Sequence, residues 1–315
     1  MKAYLFSLTL ILSVLPFGNP NFNIWKLNSG KYIKKHPSED NYRIKKIVID
    51  PGHGGRDSGC SGHSHREKDI ALSISLKLGR LIKVNFPEIQ VIYTRNSDVF
   101  VPLNERAGIA NRNNADLFIS IHCNAMDNAD QVYGSETYVM GLHKADANLA
   151  VAKRENASIL LEANYDQIYA GYDPNSPEGH IILSMYQNAY LEQSILFAEK
   201  VEKNIKHQAK RKSRGVKQAG FVVLRETTMP SVLVETGYLT NANDADFLAH
   251  ERGQNKIANS ILKAFKEYKT DIEKGTTNAL LANTPIEKPV NNSSCLLYTS
   301  PSPRDLSTSR MPSSA

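Results

Sequence analysis

The sequence predicts an α/β fold, a mostly parallel central sheet flanked by helices on both faces in a single domain. Three observations predict it. Short apolar runs stop abruptly at turn residues, as Ile47-Val-Ile-Asp50 does at Pro51-Gly52. Segments of helical period lie between those runs, and strands that alternate with helices call for a parallel sheet. The third is composition: 315 residues, 41% hydrophobic and 22% charged, with 18 Gly and 14 Pro, are ordinary globular proportions. A chain of this length buries about 75% of the surface its unfolded form exposes, so its core needs neither disulfides nor a structural metal. Its three Cys, at positions 60, 123 and 295, make no complete disulfide framework and match no metal-knuckle spacing.

At the N-terminus, Lys2, the apolar run Ala3 to Phe17 and then Gly18-Asn19-Pro20 have the layout of a secretory signal peptide. The run is short of the roughly 20 residues of a spanning helix. Residues 1–20 are therefore expected to be a signal peptide or an N-terminal anchor, and the protein to act in the periplasm or cell envelope. Residues 21–43 are a polar connector, followed by a domain over 44–270.

Within that domain the first strand is Ile47 to Asp50. Lys68 to Phe86 is a helix because Ile70, Ile74, Leu78, Leu81 and Ile82 fall on one face. Gln90 to Thr94 is a strand, Leu103 to Asn113 a helix, Leu117 to Ile121 and Ser135 to Met140 strands. Residues 145–162 and 180–206 read as helices, Phe221 to Leu224 and Ser231 to Val234 as strands, and Gln254 to Tyr268 as a closing amphipathic helix. Residues 271–294 form a linker or tail. Cys295 to Ala315 back-translates without a mismatch, apart from an index-length gap at Leu306 to Thr308, into a transposase-type sequencing adapter, and is set aside as a translated artefact. Without Arg304, Arg310 and Asp305 the formal charge goes from +6 to +5, two cations and one anion fewer. A mildly basic exported protein suits an anionic envelope polymer, and export argues against a nucleic-acid partner.

Sites in open α/β sheets gather at the carboxyl ends of strands. His53 follows the first strand, His122 ends the strand over 117–121, and Glu235 ends the strand in Val232-Leu-Val-Glu235. Glu67 precedes the long helix that returns from the His53 loop. Two imidazoles and one carboxylate with one position open make a catalytic zinc set. Taken singly, each has a plainer reading: a histidine satisfied within the structure, or a glutamate complementing a helix dipole. Glu235 is harder to explain that way, because an unpaired carboxylate in an apolar strand costs several kcal/mol.

In order along residues 47–268, these motifs resemble the zinc-dependent N-acetylmuramoyl-L-alanine amidase family of bacterial cell-wall hydrolases. The resemblance is carried by Ile47-Val-Ile-Asp-Pro-Gly-His-Gly-Gly55 with Asp57, and by Glu67 opening a helix. It continues through Tyr93-Thr-Arg95, Leu103 with Arg106 and Ala110-Asn111, Asp116 to Ala125, and Pro230 to Asn241. It implies a single catalytic domain in which His53, Glu67 and His122 bind Zn2+ and Glu235 is the catalytic glutamate. It also implies cleavage of the amide between N-acetylmuramic acid and L-alanine in peptidoglycan, with Glu235 taking a proton from water and returning it to the leaving amine. Tyr238 stands where the family often has Phe.

Two rival functions are a zinc carboxypeptidase or deacetylase acting on the same polymer, and a silent wall-binding module. Cys60, His63 and His65, in the loop between His53 and Glu67, are competing metal donors. Cys123 should point to the opposite face of its strand from His122 and join the core. Lys210-Arg-Lys-Ser-Arg214 reads as a solvated loop, and Arg225 either contacts substrate or pairs with a surface carboxylate. Peptidoglycan is the expected partner, with the protein a monomer. Residues 141–219 exceed a minimal crossover, and an enlarged connection of this kind often serves as a lid. By the resemblance it is a regulatory segment that an activator withdraws, with Glu155, Glu162 and Glu178 as candidates for the open zinc position.

Overall fold

The computed structural model describes residues 42–126, 131–142, 146–169, 172–174, 176–184 and 189–274. The expected leader, most of the connector, most of the tail and the adapter segment lie outside them, while residues 271–273 of the expected tail belong to the last helix. The strands are β1 (Lys46–Pro51), β2 (Ser61–Gly62), β3 (His65–Arg66), β4 (Gln90–Tyr93), β5 (Leu117–Asn124), β6 (Ser135–Met140), β7 (Ser213–Ala219) and β8 (Ser231–Tyr238). The helices are α1 (Glu67–Asn85), α2 (Leu103–Arg112), α3 (Asp146–Asn156), α4 (Tyr165–Ile168), α5 (Pro177–Ser184), α6 (Leu191–Asn204), α7 (Val222–Arg225), α8 (Ala242–Ala249) and α9 (Glu251–Glu273).

Six strands form one sheet in the order β4-β1-β5-β8-β6-β7, and β2 and β3 make a separate hairpin. All neighbours in the sheet are parallel except β6 and β8. The central strands are apolar on both faces because helices cover both. Ile47, Ile49, Leu117, Ile119, Ile121, Val232 and Val234 face a core shared with α1, α6 and α9. Their alternates Val48, Phe118 and Leu233 face a second core that takes in Val151 and Ala152 of α3 and Leu224 of α7. Period-two alternation therefore assigns every strand-end residue to a face. His122 and Glu235 share the α3 face with Phe118 and Leu233, and Cys123 lies in the other core, as expected.

Helix α9 begins at Glu251, and its buried Ile257, Ile261, Ala264, Phe265 and Tyr268 recur at helical spacing. Phe265 meets Phe86 edge-to-face at 5.4 Å. Helix α8 is fixed by Asn241, whose side chain accepts from the Asp244 amide at 3.1 Å.

Two expectations fail on the edge of the sheet. Phe221 to Leu224 is not a strand: Val222–Arg225 is a single helical turn whose buried Val222, Val223 and Leu224 fill the second core. The edge strand is β7, which takes in Ser213 and Arg214 of the presumed solvated loop. Its residues are polar and mostly half-buried, so it lacks the apolar run by which the inner strands are recognised. The helix expected over 145–162 ends at Asn156 and continues as a 3-10 turn, Ala157–Leu161. The helix expected over 180–206 is two helices, α5 and α6.

Candidate metal centre and active site

His53 leaves β1 with φ +58, held by the buried guanidiniums of Arg95 and Arg106. Arg95 donates to the Pro51 and Gly52 carbonyls at 3.0 and 2.7 Å. Arg106 donates to the Pro51 and His53 carbonyls at 2.8 and 2.7 Å, and to Asp50 Oδ1 at 2.9 Å. Gly52 is required by close approach, because a Cβ there would sit 2.4 Å from the His122 ring. Gly59, at φ +63, would place a Cβ 2.5 Å from both His53 and Glu67. The backbone thus packs the two imidazoles and the carboxylate together.

Glu67 is the first residue of α1, where the helix dipole favours an anion. It is fully buried and accepts from the Cys60 and Cys123 amides at 2.9 Å each. Its Oε2 lies 3.1 Å from His53 Nε2 and its Oε1 2.9 Å from His122 Nδ1. A fourth group enters from α3: Glu155 Oε2 is 3.0 Å from His53 Nε2 and 3.0 Å from His122 Nδ1. Ligand atoms of His53, Glu67, His122 and Glu155 all lie within 4.8 Å of one another, and all four residues are buried. Cys60, His63 and His65 are not part of this group. Cys60 Sγ instead donates to the Cys123 carbonyl, and His63 lies against the Thr240 carbonyl.

The donor set fits a divalent cation. His53 Nε2 and Glu155 Oε2 are buried and have no hydrogen-bond partner among the described residues, despite facing each other at 3.0 Å. Two buried carboxylates side by side require a cation to offset their repulsion. In the protein alone the imidazoles supply that charge together with Arg154, 2.8 Å from Glu155. Burial works against charging both, yet Glu67 and Glu155 hold His53 well above the usual imidazole range. Glu155 and Glu67 likewise bring His122 to about 9. Imidazole nitrogen and carboxylate oxygen are donors that suit a divalent metal, zinc among them. Asp57 completes the support, with Oδ2 2.9 Å from His53 Nδ1, the carboxylate–histidine arrangement that orients a metal-binding ring. Ser158 donates to the same oxygen at 2.7 Å.

Glu235 is fully buried within β8, which runs on to Tyr238 past the strand end expected at Val234, and is in register with His122. Burial and the nearby Glu155 push its carboxyl well above the usual range. Arg154, the residue before Glu155, reaches Glu235 Oε1 at 3.4 Å and Glu155 Oε1 at 2.8 Å. The cavity bordering the cluster, lined among others by His53, Arg106, His122 and Glu155, is about 10 Å³. That is room for about one water.

Of the three candidate carboxylates, the structure brings Glu155 to the cluster. Glu162 instead accepts from the Leu103 amide at the start of α2 and from the Tyr169 hydroxyl. Glu178 is exposed and accepts from Ser176. Arg225 donates to Glu226. Asp57 and Arg95 enter the sequence reading only as motif residues without an assigned role, and Arg154 does not enter it, since a guanidinium that acts only after folding leaves no local pattern.

Residues 47–267 match the family model described as N-acetylmuramoyl-L-alanine amidase. The chain is 34% identical over 230 residues to N-acetylmuramoyl-L-alanine amidase AmiC of Escherichia coli O6:H1, covering 71% of this chain and 53% of that relative. The match thus spans about half that relative's length. Among solved structures it is similar to the amidase AmiC2 of Nostoc punctiforme, with TM-score 0.52 and 32% identity over 72% of this chain and 97% of that one. It is also similar to the CwlD amidase from Clostridioides difficile, solved in complex with the GerS lipoprotein. There the TM-score is 0.52 and identity 26%, over 72% of this chain and 98% of that one.

Proposed function

Because the chain belongs to the N-acetylmuramoyl-L-alanine amidase family, we propose that it hydrolyses the amide joining N-acetylmuramic acid to L-alanine in peptidoglycan, with His53, Glu67 and His122 holding zinc. The observation that carries this reading is the convergence of two imidazoles and buried carboxylates beside Glu235 in the carboxyl-terminal parts of β5 and β8 and just after β1. Zinc in such a site acts as a Lewis acid toward the scissile carbonyl. Glu235 accepts the proton of the attacking water, aided by the basicity that burial confers, and passes it to the departing amine of L-alanine. Asp57 keeps the His53 ring oriented, and Arg95 and Arg106 keep its loop fixed.

Residues 141–219 serve as the gate. In the arrangement described, α3 closes the site twice over. Glu155 occupies the position among the donors that water and substrate need, and Arg154 ties up the base. A cavity of about 10 Å³ admits no glycopeptide. Activity then requires a partner that draws α3 away, and the relative solved with a lipoprotein makes a protein activator the natural class. Peptidoglycan as the substrate makes the cell envelope the proposed place of action.

Product analysis on purified sacculi tests the reaction. Free stem peptides leaving intact glycan strands are the expected outcome. Trimmed stems or free acetate identify a carboxypeptidase or deacetylase, and binding without release identifies a silent module.

A further inference from the structure

Beyond Glu235, in the direction away from the metal donors, the sheet carries a second constructed group. Glu136 stands directly opposite Glu235 across the antiparallel β6–β8 pair, so the two side chains share a face with Cβ atoms about 5 Å apart. Glu136 is fully buried, and four groups donate to it. Tyr138 Oη does so at 2.6 Å and Arg214 Nε at 2.6 Å, with Lys217 Nζ and Tyr238 Oη completing the set. A carboxylate offers about four acceptor positions, so Glu136 is saturated. Two cations nevertheless meet one anion, which leaves one positive charge in excess. Arg214 and Lys217 have no other carboxylate within ion-pair distance among the described residues, and their side chains are 26% and 19% exposed. With five and three N–H donors respectively, both keep donors that Glu136 cannot absorb. Glu202 fixes the framework from the opposite face, accepting from Ser135, Thr137 and Ser213.

We propose that Arg214 and Lys217, positioned by Glu136, form a specificity site for a carboxylate on the second or third residue of the stem peptide. The assignment deepens the amidase reading and rests on it. Its direction comes from the sheet order. His122 on β5, Glu235 on β8, Glu136 on β6 and Arg214 on β7 follow one another across neighbouring strands. If the scissile carbonyl lies at the metal and the amine of L-alanine at Glu235, the peptide continues toward β6 and β7. Two strand spacings are about 10 Å, and an extended peptide covers about 3.3–3.6 Å per residue. The distance therefore spans about three residues, and an arginine reaching back shortens it to two. A guanidinium beside an ammonium is the pairing that recognises a carboxylate. Helix α3 packs on β7, so the gate that closes the metal centre also borders this site.

The test uses the zinc-loaded full chain carrying Glu155→Ala, so that α3 does not occupy the centre. Calorimetry measures binding of a free stem peptide and of the same peptide with its carboxylates amidated, while matched N-acetylmuramoyl-peptides report cleavage. Amidation should weaken binding about tenfold or more. Arg214→Gln should lose a similar factor on the free peptide and cease to discriminate, and Arg214→Lys should keep most of the discrimination. Equal affinity for both peptides in the parent, or full discrimination in Arg214→Gln, overturns the site. If Arg214→Gln does not fold, the parent's response to amidation decides alone. Cleavage of neither substrate removes the amidase reading and the site with it, whereas cleavage of both with equal binding removes the site alone.

Discussion

Glu235 and Glu136 face each other across two strands, both buried, yet their surroundings drive them in opposite directions. At Glu235, burial and Glu155 raise the carboxyl well above its usual range; at Glu136, burial is outweighed by Lys217, Tyr138 and Tyr238, which hold it low. Two carboxylates pushed apart in this way suit different tasks, Glu235 the proton exchange proposed for it and Glu136 that of a fixed anion. Glu235→Gln keeps the shape and cannot accept a proton. Zinc content should stay at one equivalent while sacculus hydrolysis falls by about 10²–10⁴-fold. The contrasting variant is His122→Ala, which removes a donor. It should lose metal and activity together, and full occupancy by metal analysis would show that His122 is not a ligand.

At the scale of elements, α3 is the proposed gate. Its hold is not confined to Glu155: Asn156 donates to the Gly220 carbonyl and accepts from the Val222 amide, and Ile159 is buried. Deleting about Glu155 to Glu178 should raise the activity of the isolated enzyme, but it also removes those contacts. Glu155→Ala in the full chain is the cleaner form, expected to speed sacculus hydrolysis about tenfold or more without activator. A folded, zinc-loaded variant that gains nothing would remove the gate. The elements themselves were readable to different degrees. Strands β1, β5 and β8 are apolar on both faces and announce themselves, and the residues that follow their apolar runs are the candidates His53, His122 and Glu235. Edge strand β7 has polar residues on a half-exposed surface and reads as loop, while Phe221 to Leu224 is apolar because it plugs a core rather than because it pairs. Glu155 could not be separated from Glu162 and Glu178, since only tertiary packing distinguishes three glutamates within the 141–219 segment.

For the molecule as a whole, buried ion pairs tie strand ends to helices and make its stability depend on acid. Asp50 is fully buried; burial alone would raise its carboxyl, but Arg106, Thr94 and Ser120 outweigh that and hold it below 3.8. Glu136 is held below 4.5 in the same way. A depressed carboxyl contributes stability that is complete above its unfolded value and is lost as pH falls toward its folded one. Thermal midpoints should therefore be steady near neutrality and fall steeply below about pH 4. Asp50→Asn should flatten that fall while costing about 3–5 kcal/mol at neutral pH, because Arg106 is left buried without its partner. The nearness of Glu155 to both imidazoles has a consequence for metal supply. If the resting protein offers zinc four donors and the activated one three, reciprocity requires whatever frees α3 to weaken zinc retention by the same factor by which zinc opposes its release. A chelator should strip Glu155→Ala at lower concentration than the parent chain. On the proposed reading, the working enzyme then empties before the dormant one where zinc is scarce, so scarcity of the ion would act as a brake on wall cutting and spare the reserve.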